Sequence, residues 1–270
     1  MLTSSSSVRR RALRVSLVLA LAVALVSTPA GAITYGVLDT THPYVGAIIV
    51  DLEGRFGLGI LEWCSGTLIA PQVFLTAGHC TDALAAYEIP LDKIWVSFAL
   101  NIWQDPRSWR PIGSYVTHPE YWWGPNSDPH DLGAVVLAKP VRGIDPGVVA
   151  PLGYLDRLSE ARQLAGAVFA NVGYGSDETG EVTGWREISH SEFRSLHNAW
   201  LYMSQNIQTG SGGTCFGDSG GPTFHRSGAS EVLVAVTSWG DAMCVATNNN
   251  YRVDTESSQR FIAGLLAVAG

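Results

Sequence analysis

Thr214-Cys215-Phe216-Gly217-Asp218-Ser219-Gly220-Gly221-Pro222 sets one serine among glycines, beside an aspartate, one disulfide-capable cysteine and a proline stop. Glycine lets the backbone turn tightly and bring its N–H groups close to a ligand. Such a turn can present Ser219 as a nucleophile while the N–H groups of Gly217 and Ser219 converge on one point where a negative oxygen forms. A flexible Gly/Ser surface loop has the same composition, so the reading needs support from elsewhere in the chain.

The 270 residues are 46% hydrophobic and 15% charged, with 29 glycines and 13 prolines, the make-up of a folded, loop-rich body with ample core material. The first residues follow another plan. Arg9, Arg10, Arg11 and Arg14 precede an apolar run at 15–26, and Ala30-Gly31-Ala32 offers a small-x-small cleavage site. That is the layout of a secretory signal peptide over 1–32. A membrane span needs about 20 apolar residues, and this run is too short. Cleavage after Ala32 predicts a secreted, extracellular protein whose mature chain starts at Ile33. The leader's Arg-rich, Ala/Leu/Val-rich composition resembles bacterial ones.

The leader holds arginines and no acid, so the remainder is more acidic than the whole chain's net charge of −7. Such a chain has no electrostatic footprint for nucleic acid or an anionic membrane. Four cysteines, an even number, suit an oxidising compartment, with the pairing open. Cys64, Cys80, Cys215 and Cys244 contain no C-x-x-C pair, so no zinc site is expected. Neither a nucleotide loop, a metal-ligand cluster nor a calcium loop is visible, and no cofactor is expected.

From residue 44 onward, short β-branched and apolar runs are broken by Gly, Pro, Asn and Asp. Strands are predicted at 44–50, 66–69, 73–76, 94–100, 132–137, 167–172, 231–238 and 251–253. Many short strands with no long helical pattern between them predict an all-β sandwich or barrel. The end differs. Residues 255–268 put Phe261, Ile262, Leu265 and Leu266 on one helical face, predicting a terminal helix docked on the body. Its polar face carries only Arg260 as a cation, which disfavours a membrane-binding tail. The segment at 141–147 is the candidate crossing between two halves.

A second motif, Leu75-Thr76-Ala77-Gly78-His79-Cys80, follows an apolar run, with Cys64-Ser65-Gly66-Thr67-Leu68-Ile69 shortly before it. The chain has seven histidines, so His79 gains weight from its surroundings rather than its presence. Further on, Asp128-Pro129-His130-Asp131 leads into an apolar strand. A carboxylate at a strand mouth can accept an imidazole N–H and fix its tautomer. Asp131 is the first candidate for that task and Asp128 the second; aspartate before a strand is also ordinary turn chemistry.

Taken in order, "CSGTLI…FLTAGHC", "HDLGAVVL", "CFGDSGGP" and "VTSWG" resemble the chymotrypsin/trypsin-like serine proteases, over most of 33–270. His118-Pro119-Glu120-Tyr121 and Gly173-Tyr174-Gly175 are smaller echoes of the same family. The order His–Asp–Ser also discriminates. Gly217-x-Ser219-x-Gly221 formally fits the nucleophile elbow of α/β-hydrolases, but that fold places its histidine well after the serine. Here only His225 follows, too close to return across a sheet.

The resemblance implies an all-β fold of two six-stranded antiparallel Greek-key barrels with the active site between them, plus the C-terminal helix. The first barrel would cover about 33–143, the second about 144–254 and the helix 255–268. It implies a serine endopeptidase acting on protein or peptide substrates, with a monomer as the default. His79 would be general base, Asp131 its orienting carboxylate and Ser219 the nucleophile. Gly217 and Ser219 would supply the oxyanion hole, where one lost donor typically costs ~10²–10³ in rate. Ser238-Trp239-Gly240 resembles the edge that pairs with extended substrate. The implied disulfides are Cys64–Cys80, beside His79, and Cys215–Cys244, bracing the specificity pocket.

An aspartate in a buried turn, as Asp218 would be, requires a cation or several donors. In the family the cation is the free amine of an Ile or Val terminus. Ile33-Thr34-Tyr35-Gly36 resembles that start, so signal removal itself would make the activating end, although Tyr35 stands where glycine is usual. Gly213 falls at the pocket floor with Thr214 beside it, so a trypsin-type aspartate is missing. Asn248-Asn249-Asn250 replaces the usual back wall, and Asp241 lies near the mouth. The expected preference is for a neutral, apolar or small polar residue. Tyr121-Trp122-Trp123, Trp103 and Trp109 are read as local packing. The competing reading is a catalytically silent relative that binds protein through the same cleft; an intact set of His79, Asp131, Ser219 and both oxyanion glycines argues against it.

Overall fold

In the computed structural model, which describes residues 33–122 and 127–269, the short apolar runs become strands. The predicted leader at 1–32 and Trp123 lie outside the described residues. The first barrel is built from β2 (Val45–Asp51), β3 (Ile60–Ala70), β4 (Val73–Thr76), β5 (Ile94–Ser97), β6 (Arg110–Thr117) and β7 (Gly133–Leu137), closed in the order β2-β3-β4-β7-β6-β5. The second uses β8 (Val168–Gly173), β9 (Glu187–Leu196), β10 (Trp200–Ser204), β11 (Pro222–Ser227), β12 (Ser230–Gly240) and β13 (Thr247–Arg252). A β8–β9 pairing closes its sheet, and β1 (Val37–Leu38) is appended to β9. All these pairs are antiparallel, as the family resemblance implied.

Two closed barrels solve the edge problem and create a second packing demand. Along β2, Ile48 and Val50 belong to a cluster with Leu68, Phe74, Val96 and Val135, inside the first barrel. The alternate residues Val45, Ala47 and Ile49 join a different cluster with Val172, Tyr174, Phe224 and Val236, shared between the barrels. Side chains alternate across a strand, so a strand buried on both faces reads as an unbroken apolar run. A third cluster around Phe169, Leu201, Met203 and Val234 belongs to the second barrel alone.

Helices fill the corners: α1 (Glu53–Phe56), α2 (Gly78–Ala86), α3 (Tyr154–Glu160) and α4 (Glu256–Ala269). In α4, Ile262 and Leu265 are buried against the shared core and Phe261 packs on it, while Leu266 stays exposed. No helix among the described residues is long and apolar enough to cross a membrane. After β7 the chain changes barrels: Gly147 N–H donates to Leu68 O and Ala150 N–H to Leu233 O. The start of the described chain differs from expectation. Residues before Val45 do not enter the first barrel's sheet, and β1 pairs with the second barrel.

One buried cation ties these pieces together. Arg186 (4% exposed) puts its Nε on Asp39 Oδ2 at 3.0 Å and reaches Phe98 O and the Tyr174 hydroxyl, each at 3.3 Å. Tyr174 in turn donates to Ala99 O at 2.7 Å. Burial alone would raise the Asp39 carboxyl, but hydrogen bonds and charge from His42, with Thr41, hold it well below the usual carboxylate range. Removing one member of a buried ion pair leaves the other charge uncompensated. Asp39→Ala is therefore expected to cost roughly 3–5 kcal/mol, read as a lower urea midpoint at neutral pH.

Candidate active site

β4 and β7 are neighbours, with Thr76 opposite Gly133, so the residues just past one strand and just before the other meet at the barrel's rim. His79 lies in the first turn of α2, and Asp131 is separated from β7 by Leu132 alone. The Asp131 carboxylate accepts the His79 backbone N–H at 2.8 Å and contacts the ring Nδ1 at 3.0 and 3.2 Å. Asp131 is fully buried, and His79 keeps a quarter of its side chain exposed. Burial opposes the charged imidazole, but the Asp131 charge and hydrogen bond outweigh it, so the His79 pKa lies above 6.5. Burial would likewise raise Asp131; contacts from His79 and the Ser238 hydroxyl instead hold it low. With Nδ1 held by a carboxylate, a neutral imidazole presents its other nitrogen as a base. Asp128 is engaged elsewhere, accepting the Tyr251 hydroxyl at 2.7 Å and the His130 N–H at 3.1 Å.

The serine turn depends on two glycines. Gly217 has φ +96°, and a Cβ there would lie 2.8 Å from Gly175 Cα, against the Glu62 carboxyl. Gly220 has φ +76°, and its Cβ would strike the Thr76 hydroxyl and lie 2.5 Å from Ala77 N. That contact seats the second barrel's turn directly on the end of β4. The first barrel also holds it by polar bonds: Ser65 N–H donates to Ser219 O at 2.9 Å and the Ser65 hydroxyl to Gly217 O at 3.2 Å. Among the described residues, the N–H groups of Gly217 and Ser219 appear in no hydrogen bond.

Beneath the turn lies Asp218, fully buried. Its carboxyl accepts N–H bonds from Gly175 at 2.9 Å and Cys215 at 2.8 Å. Gly173 and Gly175 are explained by it, since a Cβ on either would run into this carboxyl. Burial dominates its titration; the two N–H donors lower the pKa, the Glu187 charge raises it, and the result is about 8. Glu62 is pushed up as well, by burial and by the Asp218 charge. Ile33 is fully buried, and Thr34 docks on Gly213 through an N–H···O bond of 3.1 Å and a hydroxyl bond of 3.0 Å. Tyr35, where the family has glycine, takes φ +54° and donates its N–H to Glu178.

His79, Ser219, Thr214, Ser238, Trp239 and Gly240 line one cleft of about 610 Å³, with Cys215 and Cys244 in its wall. The disulfides join Cys64 to Cys80 and Cys215 to Cys244. Gly213 is not among the lining residues: Gln205 packs across it, at 2.5 Å from where a Cβ would stand. Asp241 lines the mouth, but its carboxylate is taken up by its own loop, accepting N–H bonds from Val245, Ala246 and Thr247. Of the aromatics, Tyr121 lines the cleft, whereas Trp103 and Trp109 pack against the shared core.

Sequence reading missed four contributors. The Glu62 carboxyl at the serine turn and the Gln205 plug lie outside every quoted motif, while Thr237 in the cleft wall and the Ser238 hydroxyl on Asp131 lie within VTSWG, whose letters do not say which way each side chain is used. For metals, the thiols of Cys64 and Cys80 are consumed in a disulfide. His118, Glu120 and His130 bring ligand-type atoms together, but His118 Nδ1 accepts the Glu120 N–H at 3.2 Å and Ser257 Oγ contacts His118 Nε2 and His130 Nδ1. Ligation through Nε2 would put a proton on Nδ1, facing that N–H.

Comparison with known proteins places the chain in a family. A family model described as trypsin matches residues 39–262. The chain is similar to a trypsin from Saccharopolyspora erythraea, with 25% identity covering 74% of this chain and 82% of that one. It is similar to human kallikrein-2, at 29% identity over 67% of this chain and 71% of the relative. Human serine protease 56 matches at 31% over 69% of this chain, a region that spans 32% of that protein.

Because residue 217 has both a left-handed backbone and no room for a methyl group, Gly217→Ala is expected to lower the melting temperature by several degrees. Reactivity of Ser219 toward an organophosphonate should fall at least ~10²-fold in the same variant, since the turn that orients the N–H groups is displaced.

Proposed function

This chain belongs to the trypsin family and is a serine-type endopeptidase, and from that premise we propose that Ser219, His79 and Asp131 are its catalytic triad. One observation carries the assignment: a buried carboxylate fixes Nδ1 of an imidazole that shares a cleft with the serine of the glycine-rich turn. His79 Nε2 takes the Ser219 proton as Oγ bonds to the scissile carbonyl carbon. Negative charge then gathers on the carbonyl oxygen, toward which the N–H groups of Gly217 and Ser219 are proposed to point. The imidazolium formed is stabilised by Asp131 and returns the proton to the leaving amine as the C–N bond breaks. Water, activated by His79, releases the acyl group from Ser219. Substrate pairs with the edge at Ser238–Gly240 as an added strand.

We further propose that residues 1–32 are removed on export and that the amine of Ile33 then pairs with Asp218. Support comes from a buried carboxyl whose contacts among the described residues are backbone N–H groups, and from a chain start already docked by Thr34 on Gly213. The peptidase domain would be 33–270, secreted and monomeric.

Two outcomes test this. An organophosphonate should label Ser219 at a rate that rises with pH through a midpoint above 6.5, because only neutral His79 acts as base. His79→Ala and Ser219→Ala should lower peptide hydrolysis by at least ~10⁴-fold. Absence of labelling in a correctly started, oxidised protein would remove these residues from their roles.

The second outcome concerns the chain start. Any extension before Ile33 turns the amine into an amide, and Asp218 then holds a proton up to about pH 8 rather than its ordinary 3.8. The folded extended chain keeps a proton that the unfolded chain releases, so its stability falls as pH rises through that window. Relative to protein starting at Ile33, the extended form should lose at least ~10²-fold in activity. Its melting temperature should fall further behind between pH 5 and pH 8.

A further inference from the structure

The cleft beside Ser219 stops short of its expected floor. Thr214, Cys215 and Cys244 line it, but Gly213, Asn248, Asn249 and Asn250 do not. The space in front of Gly213 is taken by Gln205, a fully buried side chain from the residue just past β10. Its Cγ and Cδ stand 2.5 Å from where a Cβ on Gly213 would be. The plug is fastened. Gln205 Nε2 is placed to donate to Thr34 Oγ1 at 2.6 Å, Cys244 O at 2.7 Å and Thr214 O at 2.8 Å, and the two carbonyls belong to residues of the cleft wall.

An asparagine network closes the wall behind. Asn248 Oδ1 accepts the Thr214 hydroxyl at 2.9 Å and the Asn250 amide at 3.0 Å, while the Asn248 amide donates to Asn171 Oδ1 at 3.2 Å. Asn250 Oδ1 in turn accepts the Thr223 hydroxyl at 2.9 Å. Buried polar groups interlocked in this way do not part without leaving some of them unpaired. The polar atoms here that lack a partner, the Thr237 hydroxyl, Gln205 Oε1 and Asn249 Oδ1, are buried and out of a ligand's reach. No free charge replaces them. The Asp241 carboxylate is taken up by its own loop, Asp82 lies on α2 with His79, and the lining holds no Lys or Arg.

We infer that the residue on the acyl side of the scissile bond has a small, uncharged, apolar side chain, alanine or valine, and that Gln205 sets this limit by filling the end of the cleft. A longer side chain would have to displace a plug held at three points, and a close-packed wall takes extra methylenes only with strain. A charged head would enter without a counter-charge, at the cost of its hydration. Gln205 thus acts by the volume it occupies, as a specificity-determining residue that needs no contact with the reacting atoms. The inference rests on Ser219 being the nucleophile of this cleft.

The test uses the mature, disulfide-bonded protein and fluorogenic tetrapeptides that differ only at that residue. Alanine and valine should each exceed phenylalanine, glutamine and arginine by about tenfold or more in kcat/KM, the low end of what one misfitting methylene costs in a tight pocket. Gln205→Ala should lower the alanine-to-phenylalanine ratio by about tenfold or more, whereas a purely structural loss would slow every peptide alike. Phosphonate labelling of Ser219 verifies that the site is intact in each protein. Labelled wild-type protein that brings any of the three larger residues within tenfold of alanine or valine, or cleaves none of the series, overturns the small-residue assignment and leaves the triad standing. A labelled alanine variant that keeps the wild-type ratio overturns the role of Gln205. If that variant does not fold, Gln205→Asn, one methylene shorter, should shift the ratio in the same direction, and an unchanged ratio there overturns the role equally. Failure of both labelling and cleavage overturns the nucleophile assignment, and this inference with it.

Discussion

The turn that carries Ser219 is a piece of the second barrel held in place by the first. Gly220 lies so close to Thr76 and Ala77 that no side chain fits between them, and the Ser219 carbonyl is bonded to the Ser65 N–H. His79 begins its helix immediately past the same strand end, and Asp131 is delivered by the strand that pairs with it. That His79 and Ser219 line one cleft is therefore a consequence of how two closed sheets dock. The docking is made firm by the shared apolar cluster and by Arg186, which reaches carbonyls and a hydroxyl from both barrels. A shift of an ångström in that interface would misalign groups whose chemistry depends on near-contact geometry.

The same close packing creates an electrostatic debt at Asp218. Its carboxyl is buried where Gly173 and Gly175 leave room for it, with Glu187 adding negative field. Two backbone donors do not offset that burial, so the carboxyl favours its neutral form. A carboxyl so poised is sensitive to the charge state of whatever chain end is packed near it. In the proposed mature protein, the state of the oxyanion turn is thereby coupled to a covalent event at Ile33.

Much of the site was legible because its chemistry is concentrated in short, contiguous words. The glycines of 217 and 220, the histidine after a strand and the aspartate before one are each dictated by local backbone requirements, so they leave local signatures. Strands with strongly apolar runs, such as Val73–Thr76 and Gly133–Leu137, were equally plain. The strand at Glu187–Leu196 was not, because its polar residues Ser189 and Ser191 are buried by hydrogen bonds to loop carbonyls rather than by apolar contact. The short helix at Gly78–Ala86 was missed for a similar reason: with no strong apolar stripe, it is held by its anchorage between β4 and the Cys64–Cys80 bridge.

The sequence by itself determined the all-β architecture, the terminal helix and the family, and it singled out His79 and Ser219, which line one cleft, since each rests on periodicity or on a motif a few residues long. Only the tertiary structure decided how the pocket is furnished. Gln205 shields Gly213, Asp241 turns back on its own loop, Ser238 braces Asp131, and Thr237 is left with an unanswered hydroxyl. The Ser238–Asp131 contact joins residues 107 apart in the chain, and the others depend on how loops fold back on themselves, which no short motif encodes. A buried polar group's partner, or its lack of one, exists only once the two sheets have closed around it.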